Sequence, residues 1–407
     1  MTDASVNDGE CRACGGATGE ALVAYGELPV SGCYVRADRA DADPCRPFTV
    51  VRCGRCGLVQ LAEALEVGFY DDYRFMGDVG AGYSAHLGEV ARWIGACGAQ
   101  GASIVEVGAS NGALLTLLAE QGARVAGYEP AVDPARKAQE RGLDVRIEPL
   151  TPETAAPFAN QADVIVIRHV LEHIQDLPTF LAGVEALAHE GTRLVVEVPD
   201  LAATVRVGLH TNFYHPHLSY FDEQTLGALL AGAGWRVDVT RVVDIFGGSL
   251  LVGASRQAAP APQWAEPPGV PYAPLEEGAL EAFLASWRER AEALRGFLEA
   301  QAAAGKVVDG YGAAERTVAA LGYAGVAPGH VRRLYDRNPL LWGWCVPGSR
   351  IPIASAEAIP ADPPDLMILF ASSHEREIMA QQREFVERGG RFVSVRGPHP
   401  RIIDASC

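Results

Sequence analysis

The stretch SIVEVGASNG at residues 103–112 decides the fold of this chain. Its first five residues are rich in β-branched side chains, which is typical of a buried strand. Two glycines then follow at the spacing G-x-x-x-G, so the backbone can turn tightly and pass close to a ligand where a helix begins. We expect a ligand site in this turn, with these candidate residues: Glu106, Gly108, Ser110, Asn111 and Gly112.

Strand-like and helical segments alternate on both sides of this turn. Further strands are predicted at 124–129, 163–167 and 193–198 and as a pair within 235–255, and helices are predicted near 112–120, 134–141, 177–188 and 223–231. This alternation is the pattern of a doubly wound α/β sheet. A second α/β pattern follows after residue 306, with a helix predicted over 374–388, so the fold class is α/β with two such units.

The chain divides into four predicted segments. Residues 256–274 hold six prolines and no apolar periodicity, which indicates an extended linker. After it, apolar residues recur at helical spacing over 280–298, which predicts one long helix packed on a domain. We therefore expect a cysteine-rich module at 1–70, a core at 71–255, the linker at 256–274 and a C-terminal α/β domain at 275–407.

Charge and hydropathy exclude some classes of partner. The 407 residues carry 34 basic and 51 acidic side chains, a net charge of −17, which repels nucleic acid and anionic membranes. The first residues show no secretory signal, and nowhere do about 18 apolar residues run together. We expect a cytoplasmic protein with no nucleic-acid or membrane partner; its oligomeric state is left open.

Four of the nine cysteines form two C-x-x-C pairs: Cys11 with Cys14, and Cys53 with Cys56. In a reducing compartment two such pairs predict a closed tetrahedral Zn²⁺ site. A closed site has no open coordination position, so its zinc would stabilise the fold and take no part in catalysis. Free thiols in a small core and an iron site are the alternatives.

A carboxylate ends the second predicted strand of the core, and two histidines follow the strand predicted at 163–167. Glu129 ends the segment VAGYE, and Arg168-His169-Val-Leu-Glu-His173 comes after the next buried run. Acidic residue, glycine turn and strand-end carboxylate, in this order, resemble class I S-adenosylmethionine-dependent methyltransferases with their Rossmann-like core. The resemblance implies that Glu129 binds the ribose of the cofactor and that His169 lies beside it.

A polar and aromatic cluster lies between the strand predicted at 193–198 and the next helix. Its members are Asn212, Tyr214, His215, His217 and Tyr220. The carboxyl edge of a parallel sheet is where such folds bind substrate. Histidine has a pKa near neutrality and suits general-base chemistry, while the amide and hydroxyl groups could stabilise an oxyanion. We therefore expect catalytic residues here.

Together, the Cys₄ module, the core with its Y-H-x-H-x-S-Y-F segment and the C-terminal domain resemble the nucleotide-sugar C-methyltransferases of antibiotic deoxysugar pathways. The C-terminal likeness includes YGA at 311–313, DRNP at 336–339 and PGSRIPI at 347–353. The resemblance implies a dTDP-linked 4-keto-6-deoxysugar as substrate and His217 as base, with Tyr214, His215 or Asn212 at the enolate oxygen. It implies these substrate-binding candidates: Tyr73, Phe75, Tyr220, Tyr311, Arg316, Asp336 and Arg350.

Two departures from the family pattern keep other functions open. Pro216 stands where the family commonly has glutamate, and Phe75 stands where a tyrosine is expected. One alternative is therefore a methyltransferase of this architecture that acts on oxygen, nitrogen or a different carbon. A second is a non-methylating protein that keeps the cofactor as a structural element. A dinucleotide oxidoreductase is disfavoured because neither glycine turn fits G-x-G-x-x-G.

Overall fold

The computed structural model describes residues 9–38, 43–64, 81–98, 100–326 and 329–403. The chain forms two compact units. The first unit comprises residues 1–21, 50–203 and 218–275; the second comprises 22–49, 204–217 and 276–407. Residues 22–49 are called the arm below. The four predicted segment boundaries remain a prediction.

Strands account for most of the regular structure in both units. In the described part of the chain they are β1 (Thr18–Pro29), β2 (Val35–Arg36), β3 (Cys45–Cys53), β4 (Val59–Leu61), β5 (Ser103–Val107), β6 (Arg124–Tyr128), β7 (Asp144–Arg146), β8 (Ala162–Arg168), β9 (Ala188–Pro199), β10 (Ser219–Tyr220), β11 (Trp235–Val243), β12 (Ser249–Arg256), β13 (Val308–Tyr311), β14 (Leu334–Asp336), β15 (Trp344–Cys345), β16 (Ile353–Ser355), β17 (Leu366–Leu369), β18 (Arg391–Ser394) and β19 (Arg401–Ile403).

Helices connect most of the parallel strands. They are α1 (Ala81–Ala96), α2 (Ala113–Glu120), α3 (Val132–Glu140), α4 (Leu177–Leu187), α5 (Leu201–Arg206), α6 (Glu223–Gly232), α7 (Ala279–Ala285), α8 (Trp287–Ala303), α9 (Glu315–Ala324), α10 (Glu375–Gln381) and α11 (Arg383–Glu387). None of the helices in the described residues is long and apolar enough to cross a membrane.

The first unit is built on a seven-stranded sheet in the order β11-β12-β9-β8-β5-β6-β7. Strands β5 to β9 pair in parallel, while β12 runs antiparallel to β9 and to β11. Neighbouring residues of β5 pack on opposite faces: Ile104 joins one buried cluster and Val105 another. Both faces of β5 are therefore covered, as the predicted α/β class requires, and that prediction is confirmed.

The second unit is built on a six-stranded sheet in the order β16-β14-β13-β17-β18-β19. Its strands pair in parallel except β19, which is antiparallel to β18. The arm and residues 204–217 pack into this unit. The ring of Trp287 lies 4.0 Å from Tyr25 and 3.7 Å from Tyr323, and Phe48 lies 5.0 Å from His215. Segments distant in sequence thus complete its core.

Two predicted helices are interrupted. The single helix expected over 280–298 is wrong: the helix stops at Ser286, whose hydroxyl donates to the carbonyl of Phe283 over 2.8 Å, and α8 starts afresh at Trp287. A serine hydroxyl bonded to a nearby backbone carbonyl competes with regular helix geometry. The helix expected over 374–388 is likewise split at Gln382, whose backbone leaves the helical region. The apolar residues still face the core, as predicted.

The proline-rich segment packs along the first unit. Trp264 stacks on Trp93 at a ring distance of 5.3 Å, and the Trp93 indole N–H donates to the carbonyl of Ala265. A single bridge joins Val270 to Val242 of β11. Because no helix or extended ladder forms between residues 257 and 275, the segment is an ordered extended strap on that surface.

Candidate active site and zinc centre

The two C-x-x-C pairs converge at one point of the first unit. Each pair lies in a tight turn, where the backbone N–H of Gly16 faces the Cys14 sulfur and that of Arg55 faces the Cys53 sulfur. The Sγ atoms of the four cysteines lie within 4.8 Å of one another. The cysteines are not joined in disulfides.

The spacing of the sulfurs fits a tetrahedral zinc ion. Cys11 and Cys56 sulfurs are 3.6 Å apart, as are those of Cys14 and Cys53. With Zn–S bonds of about 2.3 Å, the sulfurs of a regular tetrahedron lie about 3.8 Å apart. Cys11 and Cys53 are buried, so the donor set is closed on its inner side. A zinc ion held here would stabilise the module and would leave no open position for chemistry.

The glycine turn after β5 has the form that the sequence predicts. Gly108 and Gly112 both adopt φ of 76°. A Cβ on Gly108 would lie 2.3 Å from Val170, and one on Gly112 would lie 2.3 Å from Leu143. Gly108 donates its N–H to the carbonyl of Tyr128, which ties β5 to β6. Only glycine fits this turn, so the backbone stays open to a ligand at the strand ends.

Glu129 stands at the end of β6, facing the turn. Its two carboxylate oxygens accept the backbone N–H groups of Ser110, over 2.9 Å, and Ala131, over 2.8 Å. Burial raises the pKa of this carboxyl, and the two N–H groups oppose the rise. Each oxygen keeps a further lone pair, so the carboxylate can also accept the two hydroxyls of a ribose.

Glu106 is buried at the end of β5. Its Oε2 atom has no hydrogen-bond partner in the described part of the chain. Burial raises the pKa of Glu106 to about 8, with a smaller contribution from Glu129, although Arg168 opposes the rise. A buried polar atom without a partner is costly, and a ligand group that bonds to it would remove this cost. The residues present therefore fit a nucleoside cofactor, although their individual roles remain predictions.

A charge cluster that the sequence did not indicate lies behind His169. The carboxylate of Glu197 in β9 accepts from Arg168 over 2.6 Å and contacts His86 of α1 over 2.8 Å. The Nε2 atom of His169 lies 3.3 Å from the same carboxylate. Burial opposes ionisation, yet Arg168, His169 and His86 hold the pKa of Glu197 well below its usual range. The cluster fixes His169 in a left-handed backbone conformation, with φ of 52°.

In the second unit, His217 is held at both ring nitrogens. Nδ1 lies 3.0 Å from the carbonyl of Asn212, which can only accept, so Nδ1 carries a proton. Nε2 lies 2.7 Å from the hydroxyl of Tyr214 and, in the neutral ring, accepts from it. Its lone pair is therefore oriented, as a general base requires.

The other two predicted catalytic residues make structural contacts. His215 Nε2 faces the carbonyls of Arg46 and Pro47 at 3.3 and 3.2 Å, and burial lowers its pKa to about 4. Asn212 donates from its amide to Thr204, while its Oδ1 has no hydrogen-bond partner among the described residues. Both residues lie close to His217 in sequence, but their side chains bond to Thr204 and to the arm.

The strand ends of the second unit repeat the geometry of the first. Asp336 ends β14, much as Glu129 follows β6, and its carboxylate accepts the N–H groups of Ala313, over 2.7 Å, and Asn338, over 2.8 Å. Gly312, with φ of 94°, donates its N–H to the carbonyl of Tyr335. A ribose or another diol can therefore be bound here by the same chemistry.

A cavity of about 420 Å³ opens at this edge of the sheet. Its lining combines three aromatic side chains with polar and cationic ones, among them Tyr311, Trp342, Phe385, Gln381, Arg337 and Arg388. The hydroxyl of Tyr311 is buried and has no hydrogen-bond partner in the described residues. Aromatic faces and unpaired polar atoms suit a planar ring with hydrogen-bonding edges.

The remaining substrate candidates are spread over both units. Arg316 lies near Tyr214; burial lowers the pKa of its guanidinium, and Tyr214 and Glu315 oppose this. Arg350 is paired with Asp43 of the arm over 2.9 Å. Tyr220 is buried in β10, opposite Val59. Tyr73 and Phe75 lie outside the described residues.

Three family models match separate parts of the chain. Residues 11–67 match a zinc binding domain, residues 84–239 a methyltransferase domain, and residues 273–395 a C-methyltransferase C-terminal domain. The fold, the glycine turn and these matches define an S-adenosylmethionine-dependent methyltransferase that carries a zinc module. The predicted cofactors are thereby confirmed.

Similarity over the full length narrows this class. C-methyltransferase NovU of Streptomyces niveus is 32% identical over 413 aligned residues, which cover 97% of each chain. The chain belongs to this family of C-methyltransferases, and the sequence-based assignment is confirmed.

More distant proteins match only parts of the chain. A ubiquinone biosynthesis O-methyltransferase of Methylobacterium sp. (strain 4-46) is 33% identical over 95 residues, 22% of this chain and 38% of its own. A crystal structure of magnesium protoporphyrin IX methyltransferase from Synechocystis PCC 6803 with bound SAM is 17% identical. It covers 43% of this chain and 80% of its own at a TM-score of 0.33.

Proposed function

We propose that the protein methylates the carbon next to the keto group of a nucleotide-linked deoxysugar, with His217 as the general base. The observation that carries the proposal is the state of the His217 ring, where Nδ1 is engaged as a donor and Nε2 as an acceptor. A carbon next to a carbonyl becomes a nucleophile only after it loses a proton, so this reaction needs such a base.

The proton transfer can be followed atom by atom. When substrate binds, the Tyr214 hydroxyl turns from Nε2 of His217 to the keto oxygen, which frees the one lone pair of that nitrogen. The C–H bond then breaks, the proton goes to Nε2, and the electron pair moves into an enolate whose oxygen accepts from Tyr214. The resulting imidazolium keeps its Nδ1–H bond to the Asn212 carbonyl, which stabilises the charge. S-adenosylmethionine, when bound, supplies the methyl group that the enolate carbon attacks. Glu129 and Glu106 would hold its nucleoside at the glycine turn.

The second unit supplies a site for the nucleotide half of such a substrate. Asp336 suits the ribose for the reason given for Glu129, and the aromatic cavity beside Tyr311 suits the base. Arg316 and Arg337 offer positive charge to a diphosphate, which a chain of net charge −17 otherwise repels. We propose a nucleotide sugar as the small-molecule partner and, as expected from the sequence, a cytoplasmic location.

Hydrogen exchange at the carbon next to the carbonyl tests the base without requiring the methyl donor. A 4-keto-6-deoxy nucleotide sugar incubated in deuterated water with the enzyme should exchange the hydrogen next to its carbonyl, and with S-adenosylmethionine it should gain a methyl group on that carbon. His217→Ala should slow both by about 10²- to 10⁴-fold, since it removes a general base. S-adenosylmethionine binding should be unchanged.

His189→Ala is the matched control. His189 is a half-exposed histidine of the first unit that contacts Asp163, so both rates should stay at the wild-type level. Full exchange by His217→Ala would rule out the proposed base.

A second function is favoured by Pro216, which removes the glutamate commonly found between the two histidines of the family segment. Without that carboxylate the acceptor could be a hydroxyl, an amine or a different carbon acid. The same incubation decides between the two, because the product's NMR spectrum shows whether the new methyl group is bonded to carbon, oxygen or nitrogen.

A further inference from the structure

Arg12 lies between the two cysteines of the first C-x-x-C pair and is buried, with 4% of its surface exposed. A spacer residue in a metal-binding turn is ordinarily solvent-facing, and the arginine of the other pair, Arg55, is exposed. Burying a guanidinium costs free energy unless its donors are satisfied. The partners of Arg12 therefore show what its burial achieves.

All of these partners belong to the first unit. Nη1 donates to the carbonyl of Leu61 and lies 3.4 Å from that of Leu218; Nη2 donates to the carbonyl of Glu63. Nε donates to the Gln175 side chain over 3.3 Å, and the Arg12 backbone N–H donates to the Gln60 side chain over 3.0 Å. The guanidinium thus joins the zinc module to two segments of the methyltransferase core.

Leu218 is the residue immediately after His217, and its backbone is fixed on both sides. Its N–H donates to the carbonyl of Glu172 over 2.7 Å, and its carbonyl accepts from the N–H of Leu61 over 2.9 Å, in addition to Arg12. Ser219 then pairs with Gln60, the residue that also accepts from Arg12. The backbone that leads from His217 into β10 is therefore bonded to residues that Arg12 also contacts.

Charge couples Arg12 to the metal site as well. A zinc ion with four thiolates would have a net charge of −2, and Arg12 directly follows Cys11 in the chain. A buried cation beside this anionic centre offsets part of its charge, and the centre in turn favours the buried guanidinium. Because such coupling is reciprocal, removing either partner weakens the other.

We propose that Arg12 is a positioning residue that links the zinc site to the backbone following His217. Zinc then has a second effect besides stabilising its module, since it holds Arg12 in the place where Arg12 sets the start of β10. The inference rests on the proposed role of His217 for its catalytic consequence. The link between Arg12 and zinc does not depend on the role of His217.

The test compares Arg12→Gln with Arg55→Gln, which removes the exposed guanidinium of the other pair, where it faces the Cys14 carbonyl over 3.4 Å. Arg12→Gln should release zinc to a chelator about 10-fold faster, the scale known for residues that support metal ligands. Its hydrogen-exchange rate on the keto sugar should fall about 10- to 100-fold, because small displacements of a catalytic group cost that much. S-adenosylmethionine affinity should stay within about twofold, and Arg55→Gln should keep the wild-type exchange rate.

Arg12→Lys keeps the charge and loses the forked donors, so zinc should be retained while exchange stays reduced. This variant also keeps the test decisive if Arg12→Gln fails to fold. Wild-type exchange in either Arg12 variant would overturn the positioning role, and unchanged zinc release in Arg12→Gln would overturn the link to the metal. If His217→Ala itself retains exchange, the proposed function fails, and zinc release alone then decides for or against Arg12.

Discussion

Two separate constraints favour glycine at position 108: its backbone conformation and the lack of space for a side chain. Its φ of 76° lies in the left-handed region, and its missing Cβ leaves room for a methyl group of Val170. Gly142 shares the first constraint, with φ of 82°, but nothing lies within 4 Å of its Cβ position. The pair therefore distinguishes the cost of backbone conformation from the cost of crowding.

Gly108→Ala should destabilise the protein by about 2–4 kcal/mol, of which about 1–2 kcal/mol is the left-handed backbone and the rest is overlap with Val170. Gly142→Ala should cost only the backbone share. Urea unfolding of both variants measures the difference, and Val170→Ala added to Gly108→Ala should recover the crowding share. Equal losses of unfolding free energy in the two glycine variants would show that Val170 moves aside at no cost in stability.

The form of the glycine turn could be predicted because its constraints are local. A glycine that must take positive φ, and a carboxylate at a strand end, leave a pattern within about 25 residues of sequence. Glu197 and His86 leave none, because they meet Arg168 only after α1 and β9 have packed on β8. The contacts of Arg12 could not be predicted for the same reason, since its partners lie up to 206 positions away in the sequence.

At the level of elements, the segment 204–217 depends on neutral histidines. His210 stacks on Phe283 at 3.9 Å and its Nε2 lies 3.0 Å from the carbonyl of that residue, while His215 faces two carbonyls of the arm. Burial lowers the pKa of each to about 4, and Arg290 and Arg46 add to the effect. Folding therefore requires both rings to stay uncharged.

This requirement fixes the sign of a pH dependence. In the unfolded chain histidine takes up a proton near pH 6.5, whereas in the folded chain these two do so only near pH 4, so the unfolded state binds more protons in between. Stability is fully present above about pH 7 and is lost as the pH falls, by roughly 1 kcal/mol per histidine between pH 7.5 and 5.5.

Urea unfolding at the two pH values measures this loss. His210→Gln and His215→Gln should each remove about half of the part that the pair contributes, while His189→Ala, at a half-exposed position, should leave the loss unchanged. A pH dependence that survives in the double glutamine variant would show that other groups cause it.

Strands and helices could be predicted where the spacing of apolar residues alone identifies them. The predicted strand 103–107 coincides with β5, and 163–167 lies within β8 (Ala162–Arg168), because buried parallel strands are apolar throughout. The break at Ser286 was not predictable from periodicity, since the apolar spacing continues through it. It depends on a hydroxyl that bonds backward along the chain.

At the scale of the molecule, the two sheets share one topology. The order β7-β6-β5-β8-β9-β12 in the first unit corresponds to β16-β14-β13-β17-β18-β19 in the second, and in each the last strand is antiparallel. Glu129 and Asp336 occupy the same place in this scheme, each accepting two backbone N–H groups at the edge of the sheet. The two strand ends thus offer carboxylates of the same geometry, which supports the cofactor site and the nucleotide site that we propose.

The second unit is not a contiguous C-terminal domain, and its stability should show this. Trp287 is almost fully buried, and part of its cover is Tyr25 of the arm and Phe213 of the segment 204–217. Tyr34 of the arm also donates to the carbonyl of Ala313 over 2.7 Å, at the turn before α9. A fragment of residues 276–407 would lose these partners and expose apolar surface that the full chain buries.

We therefore expect the fragment 276–407 to lack cooperative unfolding and to bind hydrophobic dyes, although its sheet residues are all present. In the full chain, Tyr25→Ala should destabilise the unit by about 1–3 kcal/mol, less than the loss of a fully buried ring, because Tyr25 is only partly buried. Calorimetry of the fragment and urea unfolding of the variant test both statements. A fragment that melts cooperatively without the arm would show that β13 to β19 with α7 to α11 form a self-sufficient domain, and that the arm only covers it.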